Sequence, residues 1–175
     1  VVGFLRPIPG FISKNAKNNY MNPAEEIVKF WLQSKKYFMQ SSIRLPHNKE
    51  IDILAIDEHG NKNHIEVCVP VRMANYTENA QQMAQGFYDK KFLSIEHEIK
   101  NRIGENYKKK LVMGNVSYKN KDITLEFIEE CKKLNIEVIL FRNVLNDVMP
   151  LLGTNSQLNA VIKAVQLTGV FEKHV

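Results

Sequence analysis

Glu50-Ile51-Asp52-Ile53-Leu54-Ala55-Ile56 and His64-Ile65-Glu66-Val67-Cys68-Val69 are the two runs on which the reading of this chain turns. The first is apolar on both faces, as a strand covered from two sides should be. Ile51, Ile53 and Ala55 form one face and Leu54 and Ile56 the other, yet Asp52 stands among them. The second run sets Glu66 among Ile65, Val67, Val69 and Val71. Isolated buried charges are costly unless they are paired, neutralised or bound to a metal. Glu58-His59-Gly60-Asn61 reads as a hairpin loop joining the runs, and Pro70 stops the second. Two acids on neighbouring antiparallel strands suggest one hard cation between them. Mg²⁺ or Mn²⁺ takes one or two carboxylates plus water and substrate phosphate, so the pair suits phosphodiester chemistry.

Working outward, Asn22-Pro23-Ala24-Glu25 reads as a helix start, with Asn22 as cap and Pro23 at the first helical position. Val28, Trp31 and Leu32 give that helix its apolar face, and it should run to about Lys35. Tyr37 to Leu45 is extended, and Pro46-His47-Asn48 turns the chain into the Asp52 strand. Beyond Pro70, Ala80, Met83, Ala84, Phe87, Ile95 and Ile99 have helical spacing over about Thr77 to Arg102, with a break near Phe92. Leu111 to Val116 reads as a fourth strand. A helix capped by Asp122 follows, bearing Ile123, Phe127, Cys131 and Leu134, and Ile136 to Phe141 makes a fifth strand. The expected order is therefore α-β-β-β-α-β-α-β. The first three strands meander, the last two join by a parallel crossover, and the α/β sheet is mixed. The C-terminal part adds Val144 to Leu152 and an amphipathic helix over about Ser156 to Leu167. Residues 1–19, rich in Pro, Gly, Asn and Lys, read as an arm, and 20–175 as one domain.

Composition agrees with a single compact domain. The 175 residues are 44% hydrophobic and 25% charged, which excludes a disordered chain, a collagen and a coiled coil. No apolar run approaches the roughly 18 residues of a membrane span, and the first residues lack the basic region and cleavage site of a signal peptide. Two cysteines make no disulfide framework, so reduced thiols and a cytoplasmic location are expected. The 24 Lys and Arg exceed the 19 Asp and Glu, a net charge of +5 that permits a polyanionic partner.

These features resemble the PD-(D/E)XK nuclease superfamily, whose fold is called restriction-endonuclease-like and which includes Holliday-junction resolvases and repair and restriction nucleases. The resemblance spans about Asn22 to Phe141. Glu25-x-x-Val28-x-x-Trp31-Leu32 is similar to the family's helix motif, Glu50-Ile51-Asp52-Ile53-Leu54-Ala55 to its acidic strand, and Glu66-Val67-Cys68 stands where Glu-x-Lys belongs. The resemblance implies that Asp52 and Glu66 hold Mg²⁺ or Mn²⁺, that the Val67 carbonyl adds a ligand, and that Glu25 supports the site from the helix. It implies that the chain is a divalent-metal-dependent endonuclease acting on nucleic acid, DNA in the first instance. The motif lysine, which orients water and balances phosphate charge in relatives, is replaced by Cys68. A thiol beside carboxylates supplies no positive charge. Either the lysine function has moved, or the chain is a pseudonuclease that serves as a nucleic-acid-binding or scaffolding subunit.

Lys29, one helical turn after Glu25, is one candidate for a migrated lysine, although such a pair is also a common solvent-facing feature. Lys90 is another if its helix points its middle at the cleft. Gln81, Gln82 and Gln85 lie where relatives place a site-facing Gln, with Gln81 or Gln85 preferred. Lys49 and Arg72 are the candidate phosphate contacts. Simpler structural accounts exist beside these: Glu25 at the third helical position suits a capping box, and Cys68 suits a small buried hydrophobe. His64, Glu66, Cys68 and Asp52 together would make a softer site for zinc or manganese, but alternate strand positions lie too far apart to converge easily. The apolar C-terminal helix offers a surface for a homodimer or larger assembly.

Overall fold

A computed structural model describes residues 22–69, 74–76 and 78–152. The proposed N-terminal arm, Arg72 and the helix expected over about Ser156 to Leu167 lie outside the described residues. The sequence order of elements begins with α1 (Pro23–Ser34), followed by the meander β1 (Phe38–Arg44), β2 (Glu50–Ile56) and β3 (Lys62–Cys68). A short β4 (Ala74–Tyr76) precedes α2 (Ala80–Phe87) and α3 (Glu96–Ile103). Then come β5 (Lys108–Met113), β6 (Val116–Tyr118), β7 (Lys121–Asp122), α4 (Thr124–Lys133), β8 (Ile136–Leu140) and α5 (Phe141–Val148).

The main sheet has five strands in the order β1-β2-β3-β5-β8. β1, β2 and β3 pair antiparallel, whereas β3 with β5 and β5 with β8 pair parallel. This is the mixed α/β sheet, with helices on both faces, that a restriction-endonuclease-like order of elements requires. Helices α1 and α5 cover one face, where Ile27, Val28, Val144 and Val148 meet Ile53, Ile65 and Val112. Helices α2 and α4 cover the other, where Met83, Phe127 and Cys131 meet Leu111 and Met113. Phe92 and Phe127 are fully buried, and each contributes roughly 1.5–3 kcal/mol by leaving water. The α3 side closes over Leu54 through Ile95 and Ile99. No helix among the described residues is long and apolar enough to cross a membrane.

Three local expectations are corrected. The fourth strand begins earlier than Leu111 and ends at Met113, because the chain turns at Gly114-Asn115 and Val116 joins a separate three-stranded sheet, β4-β6-β7. That small sheet is absent from the sequence reading, since strands of two or three residues show no period. The long helix over 77–102 is broken as expected, but by a π turn (Tyr88–Phe92) and a 3₁₀ turn (Leu93–Ile95) between α2 and α3. α5 follows β8 without a loop, three residues before the expected Val144.

Candidate nuclease-like site

The β2–β3 ladder carries Ile53 opposite Ile65, and one step further the same register sets Asp52 against Glu66. There side chains bridge the strands. Asp52 Oδ2 accepts from the Val67 N–H at 2.8 Å, and Glu66 Oε1 accepts from the Asp52 N–H at 3.4 Å. The shorter bond fixes the Asp52 side chain to the β3 main chain, and the longer one brings Glu66 to the same spot on the sheet without holding it firmly. Glu66 is fully buried and Asp52 mostly so. The two acids meet across the β2–β3 ladder, each engaged by a main-chain N–H of the facing strand.

The positive charge comes from the π turn. Lys91 Nζ lies 3.0 Å from Glu66 Oε2, and the Lys91 side chain keeps 39% of its exposure. That oxygen makes no bond of hydrogen-bond geometry, so it retains acceptor capacity inside the protein. Lys91 is the residue that sequence reasoning missed. Lys90, considered instead, is exposed and contributes only its carbonyl, to the Ser94 hydroxyl. A π turn holds one more residue than an α turn, so α-helical spacing misplaces side chains beyond Phe87.

Glu25 occupies the third helical position but does not close a capping box. The Asn22 side chain accepts from the Ala24 N–H at 3.1 Å, while Glu25 Oε1 accepts from the Ser42 hydroxyl at 2.9 Å. Ser42 sits in β1 with φ of 53°, a left-handed conformation uncommon for serine. It lies between Ser41 and Ile43, which face Ile53 and Ile51 across β2, so Glu25 approaches the sheet at the level of Asp52. Lys29 pairs with Glu25 at 3.9 Å and with Glu26, its own helix neighbours. Lys49 donates to the Ser94 carbonyl at 2.7 Å, holding β2's entry to the turn after Lys91. Gln81 is exposed in the first turn of α2, Gln82 completes a capping box with Asn79, and Gln85 donates to Asp89.

The softer four-donor site does not assemble. His64 Nε2 lies 2.8 Å from Glu66 Oε1, both side chains fully buried, and among the described residues no three His, Cys, Asp or Glu side chains are grouped to hold a metal. Electrostatics single out Asp52. Burial first, and the Glu66 charge second, push its carboxyl up to about 7, against the opposing pull of Lys91 and the Val67 N–H. Burial likewise raises Glu25 and the Cys68 thiol, so Cys68 is neutral. Burial works against the Lys91 ammonium, but the Glu66 and Asp52 charges outweigh it and hold the group above its usual range.

No protein-family description matches the chain, and no curated protein matches it significantly. Among solved structures it is similar to AF1548, a protein of unknown function, with 10% identity, TM-score 0.48, and 82% of this chain covering 79% of that one. It is also similar to a repair endonuclease from Pyrococcus abyssi (17% identity, TM-score 0.36, 69% of this chain) and to Pyrococcus furiosus SfsA in complex with Ca²⁺ (11% identity, TM-score 0.34, 65% of this chain). The match spans 47% and 52% of the length of those two proteins.

Proposed function

We propose that the chain is a divalent-metal-dependent nuclease in which Asp52 and Glu66 hold Mg²⁺ or Mn²⁺ and Lys91 supplies the cation that the motif lysine supplies in the superfamily it resembles. The observation that carries this is the junction of buried Glu66 and partly buried Asp52 with Lys91, whose Nζ lies 3.0 Å from Glu66 Oε2. Two carboxylates and one ammonium leave one negative charge uncompensated, and burial first, with the Glu66 charge second, raises the Asp52 carboxyl. A divalent cation would relieve it, and buried Glu66 Oε2 has acceptor capacity to spare. The N–H and C=O of one strand residue point to the same side. The Val67 carbonyl therefore faces the gap that its N–H bridges to Asp52.

When bound, the ion supplies Lewis-acid polarisation of a phosphoryl oxygen and an acidified water. The chain's own residues do the rest. Asp52 must lose its proton to take part, so cation affinity rises as pH passes about 7. Lys91 sits where it can balance phosphate charge and orient the attacking water, a role worth on the order of 10²–10⁴ in rate. Glu25, held by Ser42, supports the site from α1. The substrate is nucleic acid, DNA in the first instance, held by lysines whose contacts weaken with salt.

A second reading has its own observation. Glu66 is wholly buried, and both its oxygens already meet protein cations or donors. A chain that had lost cleavage and kept the fold as a nucleic-acid-binding or scaffolding subunit would look the same there. Cleavage assays on duplex, branched and single-stranded DNA and on RNA, with Mg²⁺ or Mn²⁺, decide between them. Cleavage lost in Asp52→Asn supports the nuclease. Salt-dependent binding without cleavage supports the subunit.

A further inference from the structure

His64 has no part in the proposed chemistry, yet among the described residues it and Glu66 are the two buried polar side chains with no exposure at all. It is fully buried on β3, two residues before Glu66 on the same face of the strand. Its Nε2 meets Glu66 Oε1 at 2.8 Å, while its Nδ1 has no hydrogen-bond partner. The ring is clamped. Phe92 packs edge-on at 5.0 Å between centroids and Tyr107 lies at 6.3 Å. Phe92 is the residue after Lys91, so one π turn delivers consecutive side chains to the two members of the pair: the aromatic ring to His64 and the ammonium to Glu66.

We infer that His64 is a positioning residue for Glu66, holding its Oε1 by an Nε2–H bond so that Oε2 is presented to Lys91 and to the cation. The tautomer follows from the partners. Glu66 Oε1 is an acceptor, so Nε2 carries the hydrogen, and a buried Nδ1 without a partner is better left as a bare lone pair than as an unpaired N–H. Without the bond, Glu66 could turn about its terminal torsion, which is broad and roughly two-fold. The Asp52 N–H, at 3.4 Å, is too long to hold it alone. Outer hydrogen bonds of this kind orient metal-ligating side chains, and losing one typically costs about 10–100-fold in metal affinity. The inference rests on the proposed cation site, but the hydrogen bond itself stands apart from it.

Two measurements on the full chain test it. In His64→Phe the ring packing remains and the donor is lost, whereas in His64→Gln an amide N–H can replace it. Calorimetric Mn²⁺ titration should weaken about 10–100-fold in His64→Phe and stay within about threefold of wild type in His64→Gln. Equal affinity in folded His64→Phe and wild type would overturn the inference, as would equal loss in both variants. If His64→Phe does not fold, ¹⁵N NMR of the wild-type imidazole still decides. A slowly exchanging Nε2–H supports the bond, while an Nδ1–H tautomer with a bare Nε2 contradicts it. Wild type that takes up no Mn²⁺ but shows the Nε2–H tautomer would remove the cation site and leave the His64–Glu66 bond intact.

Discussion

Two neighbouring central strands, β3 and β5, run parallel in register and place opposite materials in one layer. Glu66 stands beside Leu111, and both are fully buried. Leu111 is satisfied by apolar neighbours on α2 and α4, at no electrostatic cost. Glu66 is tolerated there because His64, Lys91 and the Asp52 N–H converge on it, and its Oε2 still lacks a bond of hydrogen-bond geometry. The difference teaches where the fold gives up stability. A charge that packing would exclude is kept, one strand away from a position where packing is ideal, and the acid opposite it is left short of compensation. Such local conflicts with an otherwise consistent fold are expected at functional positions.

The largest break in this comparison comes from removing the lysine. Lys91→Met should lower cleavage by on the order of 10²–10⁴-fold, measured as single-turnover hydrolysis of a labelled duplex. Because the Lys91 side chain remains partly exposed, its stability cost should be only about 1–3 kcal/mol, less than for a fully buried pair.

Leu111→Ala and Glu66→Gln sharpen the contrast between the strands. The leucine variant should lose about 2–5 kcal/mol in denaturant unfolding through the cavity it leaves, with Mn²⁺ affinity retained in the folded fraction. The glutamine variant keeps the shape but breaks the Lys91 pair, so stability should fall by about 1–3 kcal/mol while cleavage is lost.

Asp52 ties stability to pH. Its carboxyl is near 3.8 when unfolded and about 7 when folded, so between those values the folded state holds the extra proton. Its contribution is fully present below about pH 4 and is lost as pH rises through about 7. Asp52→Asn should therefore match wild type near pH 4 and exceed it by about 2–4 kcal/mol at pH 8. Saturating Mn²⁺ should narrow the gap. Chemical unfolding at a series of pH values reads this directly.

The smallest effect is expected at the motif position itself. With Lys91 already beside Glu66, Cys68→Lys should leave cleavage within about threefold of wild type or reduce it. A large gain would show that Lys91 does not fill the lysine role.

Much of this was legible in the residues. The span of β2, the break near Phe92 and the placement of both acids follow from alternation, helical spacing and the oddity of a carboxylate in an apolar run. What was not legible has definite physical causes. Lys91 rather than Lys90 reaches the site because a π turn shifts the register, and no side-chain pattern announces a π turn. Glu25 has capping-box spacing, but its partner, Ser42, is remote in sequence and adopts a left-handed backbone that serine composition does not signal. Strand spacing already argues against His64 as a soft-metal donor, but that its Nε2 meets Glu66 is visible only in three dimensions.

The central claim is that Asp52 and Glu66 form one cation site. The most direct test is Mn²⁺ titration of the full chain at pH 8, wild type against Asp52→Asn, followed by calorimetry or by the electron paramagnetic resonance of the ion. One tightly held equivalent in wild type, absent from the variant, is the predicted result. Uptake that is missing from both proteins, or identical in the two, would contradict the claim.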